Sequence, residues 1–472
     1  MKIAIIGAGP AGLTAAYVLS KSNYKVDVYE ASGRVGGMSC TIALWNQKVD
    51  IGPHRFFSTD KKVNSLWLEI AGKDYRMVNR LTRIYYKGKF FSYPIRVFNA
   101  LHNLGLYEAL RCIISYCKEQ LFKKRYTGTF SSWVQSRFGK RLFEIFFKSY
   151  TEKLWGLPCD KLDADFAAQR IKRLSLYEAI KNAILQGKGN KHKTLVDEFA
   201  YPTGGSGMIY DRMHERIKAN GGNVHLHCPV YRIITVNEKV IGLELGDGTF
   251  CEYDHIISSM PYSLMVERLP EVPEGIKKLA ARLRYRNTIL IYLLINETDL
   301  FPDNWIYVHS ENLKMGRITN FRNWVPQLYN EENKTILAIE YWCNDEDTMW
   351  RNTDEELAEL AKREIINTHL VKAASIEDHY VLRLHRSYPV YKKGYRYILS
   401  PIEEYLSGIE NLSVIGRYGS FKYNNQDHSI LMGLLAAENI MEGAQHQLHR
   451  INTDYETYQE SYIVTTTGLS KQ

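Results

Sequence analysis

Three glycines and one acid near the start of the chain have the types and spacing to hold a dinucleotide. Gly7-x-Gly9-x-x-Gly12 is followed, eighteen residues after Gly12, by Glu30. Gly7 permits a tight turn, Gly9 lets a pyrophosphate approach the backbone, and Gly12 lets helix and strand pack closely. A helix opening from this loop offers unpaired N–H groups and the positive end of its dipole to phosphate. Glu30 is placed to accept hydrogen bonds from a ribose hydroxyl. Glycines also serve ordinary turns, so the surrounding elements decide. The apolar run Lys2 to Gly7 predicts a buried parallel strand, Leu13 to Ser20 a helix, and Lys25 to Tyr29 a second strand ending at the acid.

The residues that follow, Glu30-x-x-x-Arg34-x-Gly36-Gly37, resemble the extension of flavoproteins of the amine oxidase and glutathione reductase type. A nicotinamide-binding domain has no reason to carry it, so the resemblance implies FAD.

A chain of 472 residues can bury a large core and form two or three domains, and 45% hydrophobic with 24% charged residues describes an ordinary globular protein. The net charge of +9 suits an anionic ligand, although a solvated basic surface explains it equally well. Nothing in the sequence points to nucleic acid. Seven cysteines, at 40, 112, 117, 159, 228, 251 and 343, are scattered without a CxxC pair. They predict reduced thiols, no disulfide framework and no metal site. The chain opens on a strand and lacks an apolar run able to cross a bilayer, so a cytoplasmic protein without an integral span is expected. Leu106 to Phe122 reads as an amphipathic helix, and the adjoining Lys123-Lys124-Arg125 is compatible with contact at a membrane surface.

The expected organisation is α/β, with a split Rossmann-like FAD-binding domain built from residues 1–60, 195–265 and 405–445. A mostly helical insertion (61–194) and a mixed or antiparallel β-sheet substrate domain (266–404) interrupt it, and a polar tail (446–472) frays from about Thr453. Within the insertion, Thr82 to Tyr93 reads as a hairpin, followed by helices over Pro94 to Leu104, Leu106 to Phe122, Ser131 to Phe138 and Leu142 to Glu152. Tyr201 to Gly207 is a glycine-rich turn into a helix, Met208 to Asn220. Strands over Val224 to Leu226, Val230 to Val236, Val240 to Leu245 and Phe250 to Tyr253 form a meander whose backbone, from Val230, surrounds an adenine. A last strand, Leu412 to Gly416, precedes a helix over Ser429 to Glu442 whose N-terminus faces the flavin.

The C-terminal motif Gly416-Arg417-Tyr418-Gly419-Ser420-Phe421-Lys422-Tyr423, followed by Asn425-Gln426-Asp427-His428-Ser429, is similar to the signature of UDP-galactopyranose mutases. So are Trp305-x-Tyr307 with Arg317, Lys153-Leu154-Trp155 with Pro158, Arg170, the His54-x-x-Phe57-Ser58 loop and Tyr388-Pro389. The resemblance spans Gly7 to about Met441. It implies a mutase that interconverts pyranose and furanose forms of a UDP-sugar, the N5 of reduced FAD attacking the anomeric carbon as UDP leaves. NAD(P)H is a candidate reductant, and a homo-oligomer is compatible with the family. Arg170 and Arg317 would grip the departing diphosphate, with hydroxyl hydrogen bonds from Tyr388 and Tyr423. Trp155, Trp305 and Tyr307 would line the nucleotide or sugar side, Arg417 and Asn425 would lie near flavin and sugar, and His54 beside the isoalloxazine ring. Gly416, Gln426, Asp427 and Ser429 join the cofactor set.

Each residue also has an ordinary reading. Arg170 alone is a surface or ion-pair arginine, Trp305 and Tyr307 alternate as core aromatics on a strand, and His54 is a loop histidine. Asp427-His428-Ser429 is no catalytic triad, since triad members converge from distant positions; Asp427 and Ser429 suit caps of the next helix. The chain also departs from the family pattern at Gly52-Pro53, where paired glycines are the rule, at Ala200 in place of an arginine, and in the shortened Tyr423-Asn424-Asn425 segment. The long helical stretch from Pro94 to Lys124 fits poorly too. The rival is an oxidase or dehydrogenase of an amine or polycyclic substrate, which needs an aromatic cage and an apolar pocket.

Overall fold

The computed structural model describes residues 1–93, 95, 97–122, 126–165, 198–330, 332–451 and 462–471. Arg170 and the run 123–125 lie outside them. Five parallel strands form the first sheet, in the order Leu412–Val414, His255–Ser258, Lys2–Ile6, Lys25–Tyr29, Asn223–His225. Both faces of such a sheet must be covered, which is why Ile3–Ile6 reads as unbroken apolar residues. The helices Pro10–Lys21, Met208–Ala219 and Gln426–Glu442 pack with it around one core. Gly433 lets the last helix lie against the first, since a Cβ there would meet the Ala11 carbonyl at 2.4 Å.

Asn223–His225 departs from the expected meander and closes the edge of the parallel sheet beside Lys25–Tyr29. Gly221 and Gly222 end the preceding helix and return the chain to the sheet as a βαβ crossover would. The meander is therefore three antiparallel strands, Val230–Val236, Lys239–Leu245 and Phe250–Glu252.

A mixed sheet of seven strands stands opposite, in the order Ile376–Pro389, Tyr285–Ile295, Thr335–Cys343, Arg317–Asn320, Trp305–Val308, Thr82–Tyr86, Lys89–Ser92. Among the described residues its single parallel pairing joins Trp305–Val308 to the hairpin strand Thr82–Tyr86. The hairpin falls where the sequence predicts it, but it belongs to this sheet. Ile376–Pro389 carries too many polar residues to read as a strand from sequence, because it is an edge strand with one partner.

The helices Val97–Leu104, Leu106–Leu121 and Phe130–Phe143 follow the hairpin. The third is capped by Thr129 with Ser132 and bends at Gly139 (φ 79°), where a Cβ would lie 2.8 Å from the Tyr116 backbone. Of the tail expected to fray from about Thr453, residues 453–461 lie outside the described residues, while 462–471 correct the expectation. Tyr462–Thr465 and Gly468–Lys471 form a hairpin, with Val464 in the core, Asn64 donating to the Tyr462 carbonyl and the Tyr75 hydroxyl to that of Thr465. All seven cysteines are free, and among the described residues no helix is long and apolar enough to cross a membrane.

Candidate active site

The C-terminal ends of the parallel strands and one end of the seven-stranded sheet enclose a cleft of about 530 Å³. Gly7, Gly9, Glu30, Gly37 and Val230 line its nucleotide end. His54, Gly416, Arg417, Asn425, Gln426 and Ser429 line the middle, and Trp305, Tyr307, Arg317, Tyr388 and Tyr423 the far end. Residues from five separate stretches of the sequence thus meet in one space.

The nucleotide end is made of backbone. Gly7 has φ 98° and donates its N–H to Tyr29. A Cβ on Gly12 would sit 2.0 Å from the Gly7 carbonyl oxygen, so only glycine allows the helix so close to the loop. A Cβ on Gly9 would meet nothing nearer than the Gly37 Cα at 4.0 Å; that glycine keeps space open beside the loop. The Glu30 carboxylate accepts from the Ala8 and Ser32 amides, both at 2.8 Å. Gly12 lies within the first helix, buried Gly36 holds the loop by donating to Ala8, and Arg34 is exposed; these three do not line the cleft.

The middle is a junction. The last helix starts at Gln426, three residues earlier than expected, with Asn425 as N-cap. Asp427 and Ser429 therefore do not cap it, and Asn425 makes no side-chain cap bond either, so the first-turn amides remain available. Asp427 lies beside His428 at 2.9 Å and does not line the cleft. Gln426 donates to the His54 carbonyl and accepts from the Tyr210 hydroxyl. Gly52, at φ 130°, starts the turn in which the His54 amide donates back to the Gly52 carbonyl. Burial, with the Arg317 and Arg417 charges, pushes the His54 imidazole down to about 3, and its buried Nδ1 has no hydrogen-bond partner among the described residues. Asp50, which accepts from the Tyr201 hydroxyl and the Ser206 amide, anchors the start of this loop; burial raises its carboxyl to about 7.

Side chains make the far end. Register places Tyr307 opposite Arg317 and Arg317 opposite Glu340, three neighbours in a row across three strands. The Arg317 guanidinium is bidentate on Glu340, 2.6 Å from Nε and 2.5 Å from Nη2, which fixes its plane and keeps it charged. Tyr388 and Tyr423 stack with centroids 5.3 Å apart at 24°. Burial raises the Tyr388 hydroxyl, so it stays protonated. Arg417 lies over both rings, at 4.7 and 4.6 Å, and spends its N–H groups on the Ser387 and Asn424 carbonyls. No carboxylate pairs with it among the described residues. Trp155 stands behind this group, 1% exposed and edge-on to both tyrosines. Lys153 ties its helix to the sheet through the Val308, Ser310 and Met315 carbonyls.

Sequence reasoning missed Glu340. Its signal was a lone acid inside the apolar strand Thr335–Cys343, a charge that needs a buried partner. It also missed Arg268 and Arg55, both lining the cleft.

The family model for flavin-containing amine oxidoreductases matches residues 10–441. The chain belongs to that family. Among individual family relatives, a probable UDP-galactopyranose mutase of Klebsiella pneumoniae is 28% identical over 193 residues, 39% of this chain and about half (49%) of that protein. A coproporphyrinogen III oxidase of Staphylococcus aureus is 21% identical over 93% of this chain and 98% of its own. A crystal structure of a reduced UDP-galactopyranose mutase superposes with a TM-score of 0.80 at 22% identity, covering 95% of this chain and 97% of the other. The chain is thus a flavin-dependent enzyme with this fold. Its residues fit FAD: a glycine loop open at Gly9, an acid at the strand end, uncapped amides at Gln426 and the unpartnered His54 Nδ1 lie along one cleft.

Proposed function

We propose that this protein is a mutase that interconverts pyranose and furanose forms of a UDP-sugar, working with FAD in its reduced state and with NAD(P)H as a candidate reductant. Reduced FAD supplies a nucleophilic nitrogen for the anomeric carbon, without net redox change. The observation that carries the proposal is the pairing of half-buried guanidinium groups with hydroxyl-bearing rings at the far end of the cleft. Arg317, held in one plane by Glu340, still has Nη1 to donate, and the Arg417 guanidinium lies over the Tyr388 and Tyr423 rings. In a dry site such donors stabilise negative charge as it develops on a departing diphosphate. By resemblance Arg170 would complete the grip. Tyr388, kept protonated, would donate its hydroxyl to the same oxygens, while Trp305 and Tyr307 cover the nucleotide or sugar.

An amine is a poor fit. Tyr388 and Tyr423 rings only 5.3 Å apart leave no slot between them for a substrate, and Arg417 repels an ammonium group. A polycyclic oxidase substrate bearing carboxylates is the second reading, favoured by the nearly full-length match to a coproporphyrinogen oxidase. Anaerobic incubation of the dithionite-reduced enzyme with UDP-galactopyranose, followed by chromatography, separates them. The mutase reading requires a UDP-furanose product from reduced enzyme only. Oxygen consumption with a porphyrinogen, and no furanose, would establish the oxidase.

A further inference from the structure

The Leu106–Leu121 helix carries an apolar face left exposed among the described residues. Ala109 and Cys112 are buried on its inner side, where Arg141 donates its amide to Ser115 and Gln120 donates to the Ser136 carbonyl. On its outer side Leu106, Tyr107, Leu110, Ile113, Ile114 and Leu121 are each between 46% and 89% exposed. At about 100° per residue these positions, with exposed Cys117, fill one continuous arc of about 120°. A soluble helix normally turns such a stripe inward.

The charges beside the arc identify what covers it. Arg111 and Lys118 border one edge, and no acid lies within it. Glu108 and Glu119 fall on the far side, where Glu108 is engaged by Arg141 and Arg111. Lys118 has no acidic partner among the described residues. Phe122 and Tyr126, exposed aromatics, follow the end of the helix, and the sequence from Leu106 to Arg125 holds five bases against two acids. A protein groove would be expected to offer acids to these bases and donors to its own backbone. Apart from the Tyr107 hydroxyl at its margin and the Cys117 thiol, the arc presents carbon to its partner, with aromatic residues at both ends and positive charge at the border, which matches acyl chains beneath anionic headgroups.

We propose that this helix lies in the surface of an anionic lipid bilayer, docking the enzyme peripherally through Leu110, Ile113, Ile114 and their neighbours. The cleft is built from other elements, so the proposal stands whichever reaction the cleft performs. The test is flotation of the full-length, FAD-loaded protein with vesicles of phosphatidylglycerol and phosphatidylcholine, and with phosphatidylcholine alone. Binding to the anionic vesicles, weakened by high salt and by about tenfold or more in L110E/I114E, is the expected result. Both positions are exposed, so that variant should retain its flavin spectrum and unfolding temperature; R111Q/K118Q, which alters only the border, gives an independent reading and should weaken binding less. Absence of vesicle binding would overturn the proposal, as would binding indifferent to both variants. A concentration-dependent dimer abolished by L110E/I114E, without vesicle binding, would assign the face to a second copy and overturn it equally.

Discussion

The two ends of the cleft are made of different material. The nucleotide end is backbone: Gly7, Gly9 and Gly37 contribute space and conformation, and Glu30 its only acid. The far end is side chain: the Tyr307–Arg317–Glu340 row and the stacked Tyr388 and Tyr423 under Arg417. A backbone site needs residues close in sequence, because one loop and one helix start suffice. A side-chain site needs strands brought into register from far apart, so its chemistry depends on the packing of a whole sheet.

Breaking the side-chain end should therefore do most damage. Arg317→Ala leaves the buried Glu340 without its partner, for a loss of about 3–5 kcal/mol of stability in denaturant titration and at least about 100-fold in turnover. The double variant Arg317→Met/Glu340→Leu should recover stability without turnover; if turnover returns, Arg317 is structural only.

The histidines come next. His54 and His309 are both pushed down to about 3, by burial first. The unfolded chain protonates them near pH 6.5, so their neutral burial contributes fully above that pH and is lost as pH falls towards 3. The effect is on the order of 5 kcal/mol per ring. His309→Gln should flatten the acid limb of unfolding temperature against pH; an unchanged limb would refute this. Turnover should show no inflection from His54 near pH 6.5.

At the backbone end, Gly12→Ala forces a Cβ into the Gly7 carbonyl and should cost about 1–3 kcal/mol even without flavin. Gly9→Ala meets no protein atom closer than 4.0 Å and should leave the apoprotein's stability unchanged while weakening FAD retention. Equal destabilisation of both apoproteins would erase the contrast. The smallest change is Tyr388→Phe, which removes one hydroxyl and should lower turnover about tenfold, measured as kcat.

The same contrast explains what could be read in the sequence. The first strand, helix and second strand, with their glycines and acid, were legible because period and turn residues are local signals. The far end was legible only as family spacing: ten residues from Tyr307 to Arg317 become a cross-strand pair in the folded sheet. Glu340, twenty-three residues further on, gave no local hint of its partner. The start of the last helix was misplaced because Asp427 and Ser429 look like caps while Asn425 occupies that position. The C-terminal hairpin escaped because a short polar tail reveals nothing of the helix and strand that receive it.

The parallel sheet draws its strands from residues 2–6, 25–29, 223–225, 255–258 and 412–414. During translation at roughly 5–20 residues per second, the first strand waits tens of seconds for its last neighbour to leave the ribosome. The nascent chain must shelter one apolar sheet edge throughout that interval, so its exposure to edge-to-edge association is set by the rate of elongation.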